Sequence, residues 1–133
     1  MAGSVWTPDE LAAIAAPDEL QLATRRQDGT LRDAVTIWAV RHGDELYIRS
    51  VNGPTAAWYR GAQARHQASI SAGGVEKDVT LIDADHAIDD QIDAGYRTKY
   101  GRYSEDTLRR ITSPQARSTT FKLEPAEDAG RET

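Results

Sequence analysis

Apolar side chains in this chain recur at two periods, and the switch between them marks the elements. In the stretch 19–26, Leu20, Leu22 and Thr24 alternate with polar neighbours, as a half-buried strand does. Gln27-Asp28-Gly29-Thr30 makes a turn, and a second strand follows over Asp33 to Arg41, rich in Val35, Thr36, Ile37, Trp38 and Val40. After the turn His42-Gly43-Asp44 comes a third strand over Leu46 to Ser50, so this half predicts an antiparallel meander. Ala68 to Ala72 and Glu76 to Ala84 flank Gly73-Gly74 as a second hairpin, and a last strand is predicted over Ser118 to Glu124.

The helical period appears between these runs. Thr7-Pro8-Asp9-Glu10 has the form of a capping box with Pro at the first helical position, and Trp6 and Leu11 stand where a hydrophobic staple places them. That helix stops before Pro17. A second helix is predicted over 55–65, opened by Pro54. Ile88, Ile92, Tyr96 and Tyr100 recur every four residues behind a cap at Asp85, which predicts an amphipathic helix. A short helix starts at Ser104 and ends near Thr112-Ser113-Pro114. Six strands with helices between them predict a mainly β, α+β domain over 1–125: a small antiparallel barrel with helical insertions, or an open sheet covered by helices. Residues 126–133 read as a polar flexible tail.

Composition sharpens this picture in one respect. Of 133 residues, Val, Ile, Leu and Phe make only 23, while Ala makes 20. Such a thin core predicts that something beyond the chain's own side chains completes it, a homodimer partner or an aromatic cofactor. Sixteen Lys plus Arg against 21 Asp plus Glu leave no dominant basic field, which argues against nucleic acid as a partner. No apolar run is long enough for a membrane helix, the N-terminus lacks the form of a signal peptide, and there is no Cys. A cytoplasmic protein is expected.

Three groups of residues invite chemistry. Arg49, Ser50, Gly53, Thr55 and Arg60, with Arg65 beyond, run from a strand through a Gly-Pro loop into a helix start, where free backbone N–H groups suit an anion. The same residues would equally serve an ordinary capped turn. Tyr96 and Tyr100 lie on the apolar stripe of their helix, so they read either as core with polar tips or as proton donors to a substrate. The acidic run Glu76 to Asp93 lacks calcium-loop spacing and predicts no metal site; Asp89 and Asp93 read as a solvated helix face, with Arg97 as partner for Asp93. His42 and His66 have no Ser partner in local sequence that would make a hydrolytic triad.

From Asp28 to Ser71 the chain resembles the deazaflavin-dependent nitroreductases, members of the flavin-binding split-barrel superfamily that includes pyridoxamine 5′-phosphate oxidase. The resemblance rests on Gly29 and Arg32, the strand Val35 to Val40, Gly43-Asp44, Ser50, Gly53-Pro54 and the pair Trp58-Tyr59. Tyr96, Tyr100 and the closing run Phe121 to Pro125 are similar too. From Trp6 to about Tyr100 the chain also resembles a bacterial family of unknown function within this superfamily. The resemblance implies a dimeric six-stranded split barrel holding FMN or the deazaflavin coenzyme F420, and hydride transfer to or from a small organic substrate. It implies Arg49, Ser50, Gly53, Thr55, Trp58 and Arg60 near the phosphate or ribityl chain, Thr36, Ile37 and Trp38 near the ring, and Tyr96 and Tyr100 facing the substrate.

Two departures bear on this. Thr30 and Thr55 stand where the family usually carries basic residues, which favours FMN over a polyanionic deazaflavin. The Arg and Lys pattern of pyridoxamine 5′-phosphate oxidases is absent from the strands. A binding or interaction protein on the same barrel, without cofactor or catalysis, is the alternative.

Overall fold

The computed structural model of the chain describes residues 6–126. The predicted tail beyond Ala126, and residues 1–5 of the segment read for a leader, lie outside the described residues. The chain opens with helix α1 (Pro8–Ala15), where Thr7 and Glu10 form the expected capping box. Seven antiparallel strands follow among the described residues: β1 (Leu20–Thr24), β2 (Val35–Ile37), β3 (Ala39–His42), β4 (Glu45–Ile48), β5 (Gln67–Ala72), β6 (Val75–Asp83) and β7 (Phe121–Pro125). Helix α2 (Ala57–Arg65) lies between β4 and β5; α3 (Asp89–Lys99), α4 (Glu105–Ile111) and α5 (Pro114–Arg117) lie between β6 and β7.

The strands form one sheet in the order β2-β1-β5-β6-β7-β4-β3. Its two outer strands, β2 and β3, are consecutive in the chain and separated only by Trp38. One run of residues therefore pairs with β1 through Leu20↔Ile37 and with β4 through Ala39↔Ile48, closing the sheet into a split barrel. This corrects the strand count from six to seven: the predicted strand over 33–41 exists, but breaks at Trp38 to serve opposite edges of the sheet.

Smaller corrections follow the same logic of local competition. Gly53–Thr55 forms its own 3-10 turn, so Pro54 opens that turn and α2 begins only at Ala57. The third strand ends at Ile48, before Arg49 and Ser50. Ser113 caps the short helix α5, which delays the last strand to Phe121. The predicted hairpin around Gly73-Gly74 and the stripe of α3 are present as expected.

Two apolar clusters hold the fold. The first fills the barrel with Leu20, Leu22, Ile37, Ile48, Ile70, Leu81, Phe121 and Leu123, and α1 adds Leu11 and Ile14. Trp6 joins it and donates its indole N–H to the Leu123 carbonyl at 2.9 Å. The second lies outside the barrel, where Val40 and Tyr47 meet Ile92, Tyr96 and Tyr100 of α3 and Leu108 and Ile111 of α4. Strand β4 is therefore covered on both faces, which is why Leu46, Tyr47 and Ile48 form an unbroken apolar run.

The Gly73-Gly74 turn provides a test of this packing. Both glycines have positive φ, +60° and +84°, but a Cβ on Gly73 would stand 1.9 Å from the Ala13 carbonyl oxygen of α1, whereas one on Gly74 meets nothing within 4 Å. Gly74→Ala is expected to cost about 1 kcal/mol from backbone strain. Gly73→Ala is expected to cost several times that, because α1 must shift; paired urea unfolding curves of the two variants compare them directly.

Candidate functional site

The break at Trp38 shapes the site. Interrupting a strand leaves main-chain groups that the ladder no longer pairs, and buried groups of this kind cost about 1–3 kcal/mol each if left alone. Helix α3 supplies their partners. The Tyr96 hydroxyl donates to the Trp38 carbonyl at 3.0 Å, and the Tyr100 hydroxyl accepts the Ala39 N–H at 3.2 Å. Lys99 Nζ donates to the Ala39 carbonyl at 2.7 Å. Tyr100 also donates to the Asp18 carbonyl at 2.6 Å, tying the loop before β1 to the same point. Its ring stacks on the Trp38 indole with centroids 4.0 Å apart and planes 5° apart.

These contacts give Tyr96 and Tyr100 the core position with engaged polar tips that their helical stripe allowed. Both are fully buried, and burial pushes both phenols above the ordinary tyrosine range. Neither lines the cavity that Trp38 borders. They hold the broken strand in place from behind. Lys99 is half-buried beside them, and this burial lowers its ammonium to about 8.

In front of the break lies a cavity of about 390 Å³. Thr36, Ile37 and Trp38 line it from the broken strand, Arg49 and Ser50 from the end of β4, and Trp58 from α2. Six of the nine residues expected around a cofactor thus meet in one place. Gly53, Thr55 and Arg60 do not line it. Gly53 packs against Gln115, Thr55 donates its hydroxyl to the Asn52 carbonyl, and Arg60 is exposed on α2. Glu19, Val51, Asn52, Ala56, Thr107 and Ile111 complete the lining. No local signal marks Thr107 and Ile111, since α4 reaches the cavity only through its packing on α3.

Arg49 is present but differs in kind from the anion ligand expected of it. Its side chain is fully buried, and Asp93 binds it at 2.5 Å with Asp89 at 3.7 Å. It also donates to Thr120 Oγ1, the Ile111 carbonyl and the Asp89 carbonyl. Asp93 in turn binds Arg117. So Asp89 and Asp93 face inward, against the expectation of a solvated face, and Arg97 pairs with Glu105 instead of Asp93. Residues 44 positions apart carry this pair, and nothing in local spacing announces it.

Ser50 contrasts with its neighbour. It is 1% exposed, and its hydroxyl oxygen is the one buried side-chain polar atom without a partner among the described residues. Glu19, an exposed residue of the same lining, forms no ion pair or side-chain hydrogen bond among the described residues. Arg110 donates to Asn52 Oδ1 at 2.6 Å in an adjoining groove that shares Val51 and Asn52 with the cavity. Among the described residues no cluster of three His, Asp or Glu is placed to hold a metal ion, and no helix is long and apolar enough to cross a membrane.

A family model described as "Uncharacterized protein conserved in bacteria (DUF2255)" matches residues 10–123. No curated protein matches the sequence. Among solved structures, the conserved hypothetical protein Rv2991 from Mycobacterium tuberculosis is similar with a TM-score of 0.58 and 12% identity, over 95% of this chain and 83% of that one. A putative pyridoxamine 5′-phosphate oxidase from Listeria innocua has a TM-score of 0.57 at 14% identity, over 87% and 88% of the two chains. A protein named F420 Reductase has a TM-score of 0.56 at 16% identity, over 87% and 92%. At such identities the likeness is one of fold.

Two outcomes follow from the buried groups. Asp93→Asn leaves the Arg49 charge buried without its closest counter-charge and is expected to cost about 3–5 kcal/mol; adding Arg49→Met should recover part of this in a double-mutant unfolding cycle. For Lys99 the folded state loses its proton near pH 8, below the unfolded chain. Between that pH and the ordinary lysine range the unfolded chain binds more protons, so stability gains as pH rises through this window. Measured against Lys99→Met, the parent should become relatively more stable from about pH 8 upward.

Proposed function

We propose a function from the premise that this chain belongs to the DUF2255 family of uncharacterized proteins conserved in bacteria: its cavity binds the ring of a flavin-class cofactor, FMN in preference to F420, for hydride exchange with a small organic molecule. The observation that carries the reading is the meeting of Trp38, Trp58 and the unpartnered Ser50 hydroxyl in one cavity. Flat apolar walls with a few fixed polar groups suit a planar heteroaromatic ring.

The fit differs along the length of such a cofactor. For the ring, Ile37, Trp38, Trp58 and Ile111 exclude water, while Thr36, Ser50 and Thr107 offer hydroxyls to its polar edge. For a phosphate, Arg49 is already neutralised by Asp93, so the nearest suitable cation is Arg110 beside Asn52. One phosphate can be met there; a tail of several carboxylates finds no comparable set of cations along the cavity. This favours FMN, although one structural neighbour is named for F420. When bound, such a ring supplies the hydride chemistry, and the residues of this chain bind and orient it.

A second reading has its own support. The cavity lining holds no uncompensated cation among the described residues, as suits a binding protein for an uncharged aromatic ligand without redox chemistry. A homodimer also belongs to the proposal, and sedimentation equilibrium of the whole chain reads it: a monomer at every concentration removes it.

Titration with FMN and then F420, followed by visible absorbance and tryptophan fluorescence, separates the two readings. FMN is expected to change both signals to saturation, and Trp58→Ala to weaken its binding about tenfold. If neither cofactor changes either signal at tens of micromolar protein, the cofactor reading fails and the binding-protein reading stands.

A further inference from the structure

We infer that Glu19 selects the charge of the molecule that enters the cavity, admitting neutral and cationic nitrogen heteroaromatics and rejecting carboxylate-bearing ones. The inference deepens the proposed function by naming the chemical class of ring that the cavity accepts, of which a neutral flavin ring is a member, and it rests on this cavity being the ligand site. It starts from the formal charges along the cavity wall. Only Glu19 and Arg49 carry one, and Arg49 is held by Asp93 and Asp89. Glu19 therefore sets the sign of the field that an entering molecule meets.

The main chain fixes where that carboxylate stands. On one side of Glu19, the Asp18 carbonyl accepts the Tyr100 hydroxyl, and the Asp18 carboxylate binds Arg102 and accepts the Tyr103 hydroxyl at 2.7 Å. On the other side, Leu20 pairs with Ile37 in the β1–β2 ladder. Of the cations around the cavity, Arg102 is paired with Asp18, Lys99 donates to the Ala39 carbonyl, and Arg110 lies in the adjoining groove beside Asn52. Glu19 is thus anchored through its neighbours while its own carboxylate is left open beside Trp38.

Trp38 and Trp58 reinforce the same preference. Indole faces carry a negative quadrupole and attract cations, best where water is excluded. The unpartnered Ser50 hydroxyl, buried deeper in the cavity, supplies a hydrogen bond that tolerates either a donor or an acceptor on the ring. An anionic substituent would meet Glu19 and two indole rings, with no open cation among the lining residues to offset them.

The test uses three probes built on one ring: quinoline, 1-methylquinolinium and quinoline-4-carboxylate, titrated calorimetrically into the whole chain. The cation is expected to bind tightest and the carboxylate weakest, with a span of about tenfold that narrows in high salt. In Glu19→Gln the span should shrink to about twofold, and in Glu19→Lys the order should invert, with thermal unfolding of each variant confirming that it folds. Equal affinity for all three probes, failure of all three to bind, or an unchanged order in folded Glu19→Gln overturns the inference. If the charge order holds but FMN does not bind, the cofactor reading fails and the charge selection stands. If FMN binds and the order is absent, the cofactor reading stands and the charge selection fails.

Discussion

The structure depends on one interruption, the break of a strand at Trp38. A sheet that closes on itself must join its two edges, and here a single run of chain does so by pairing with β1 up to Ile37 and with β4 from Ala39. Turning between edges leaves backbone groups without ladder partners. Tyr96, Lys99 and Tyr100 answer them from α3, and the same helix buries Ile92 against the outer face of β3 and β4. The insertion that interrupts the strands between β6 and β7 is therefore what allows the barrel to close where it does.

The cavity is the other consequence of the break. Trp38 leaves the ladder with one face covered by Tyr100 and takes its place in the cavity wall. Trp58, packed on the barrel core near Phe121, forms wall from α2. Behind them the buried Arg49–Asp93 pair fastens the end of β4 to α3, and Arg117 extends the link to α5. Removing two ions from water is costly, so such a pair adds little net stability although breaking it by removing one partner is expensive. Here the pair fastens the wall that carries Ser50.

The stripe Ile88, Ile92, Tyr96, Tyr100 was legible because helical period alone places those side chains on one face. That Tyr96 and Tyr100 have structural work at their hydroxyls was not, because their partners, Trp38 and Ala39, lie about 60 residues away. The meander, the Gly73-Gly74 hairpin and the capping box at Thr7 were legible for the same reason: each is decided by neighbours in sequence. The resemblance of the stretch from Asp28 to Ser71 to split-barrel proteins pointed to the right fold, yet the role it implied for Arg49 does not follow from the fold. A cation at that position is free or consumed according to what an inserted helix places opposite it, here Asp89 and Asp93.

The amino-acid sequence by itself determined roughly where strands and helices lie, which faces are apolar and that the strands are antiparallel, because periodicity, caps and turns act over a few residues; between a barrel and an open sheet it left the choice open. Only the tertiary structure decided that one strand breaks to serve two edges, that two tyrosines stand behind the cavity, and that Arg49 is neutral in effect while Glu19 is open. Those outcomes are pairings between groups distant in the chain. Burial and charge compensation, which set their chemistry, exist only once the chain has closed.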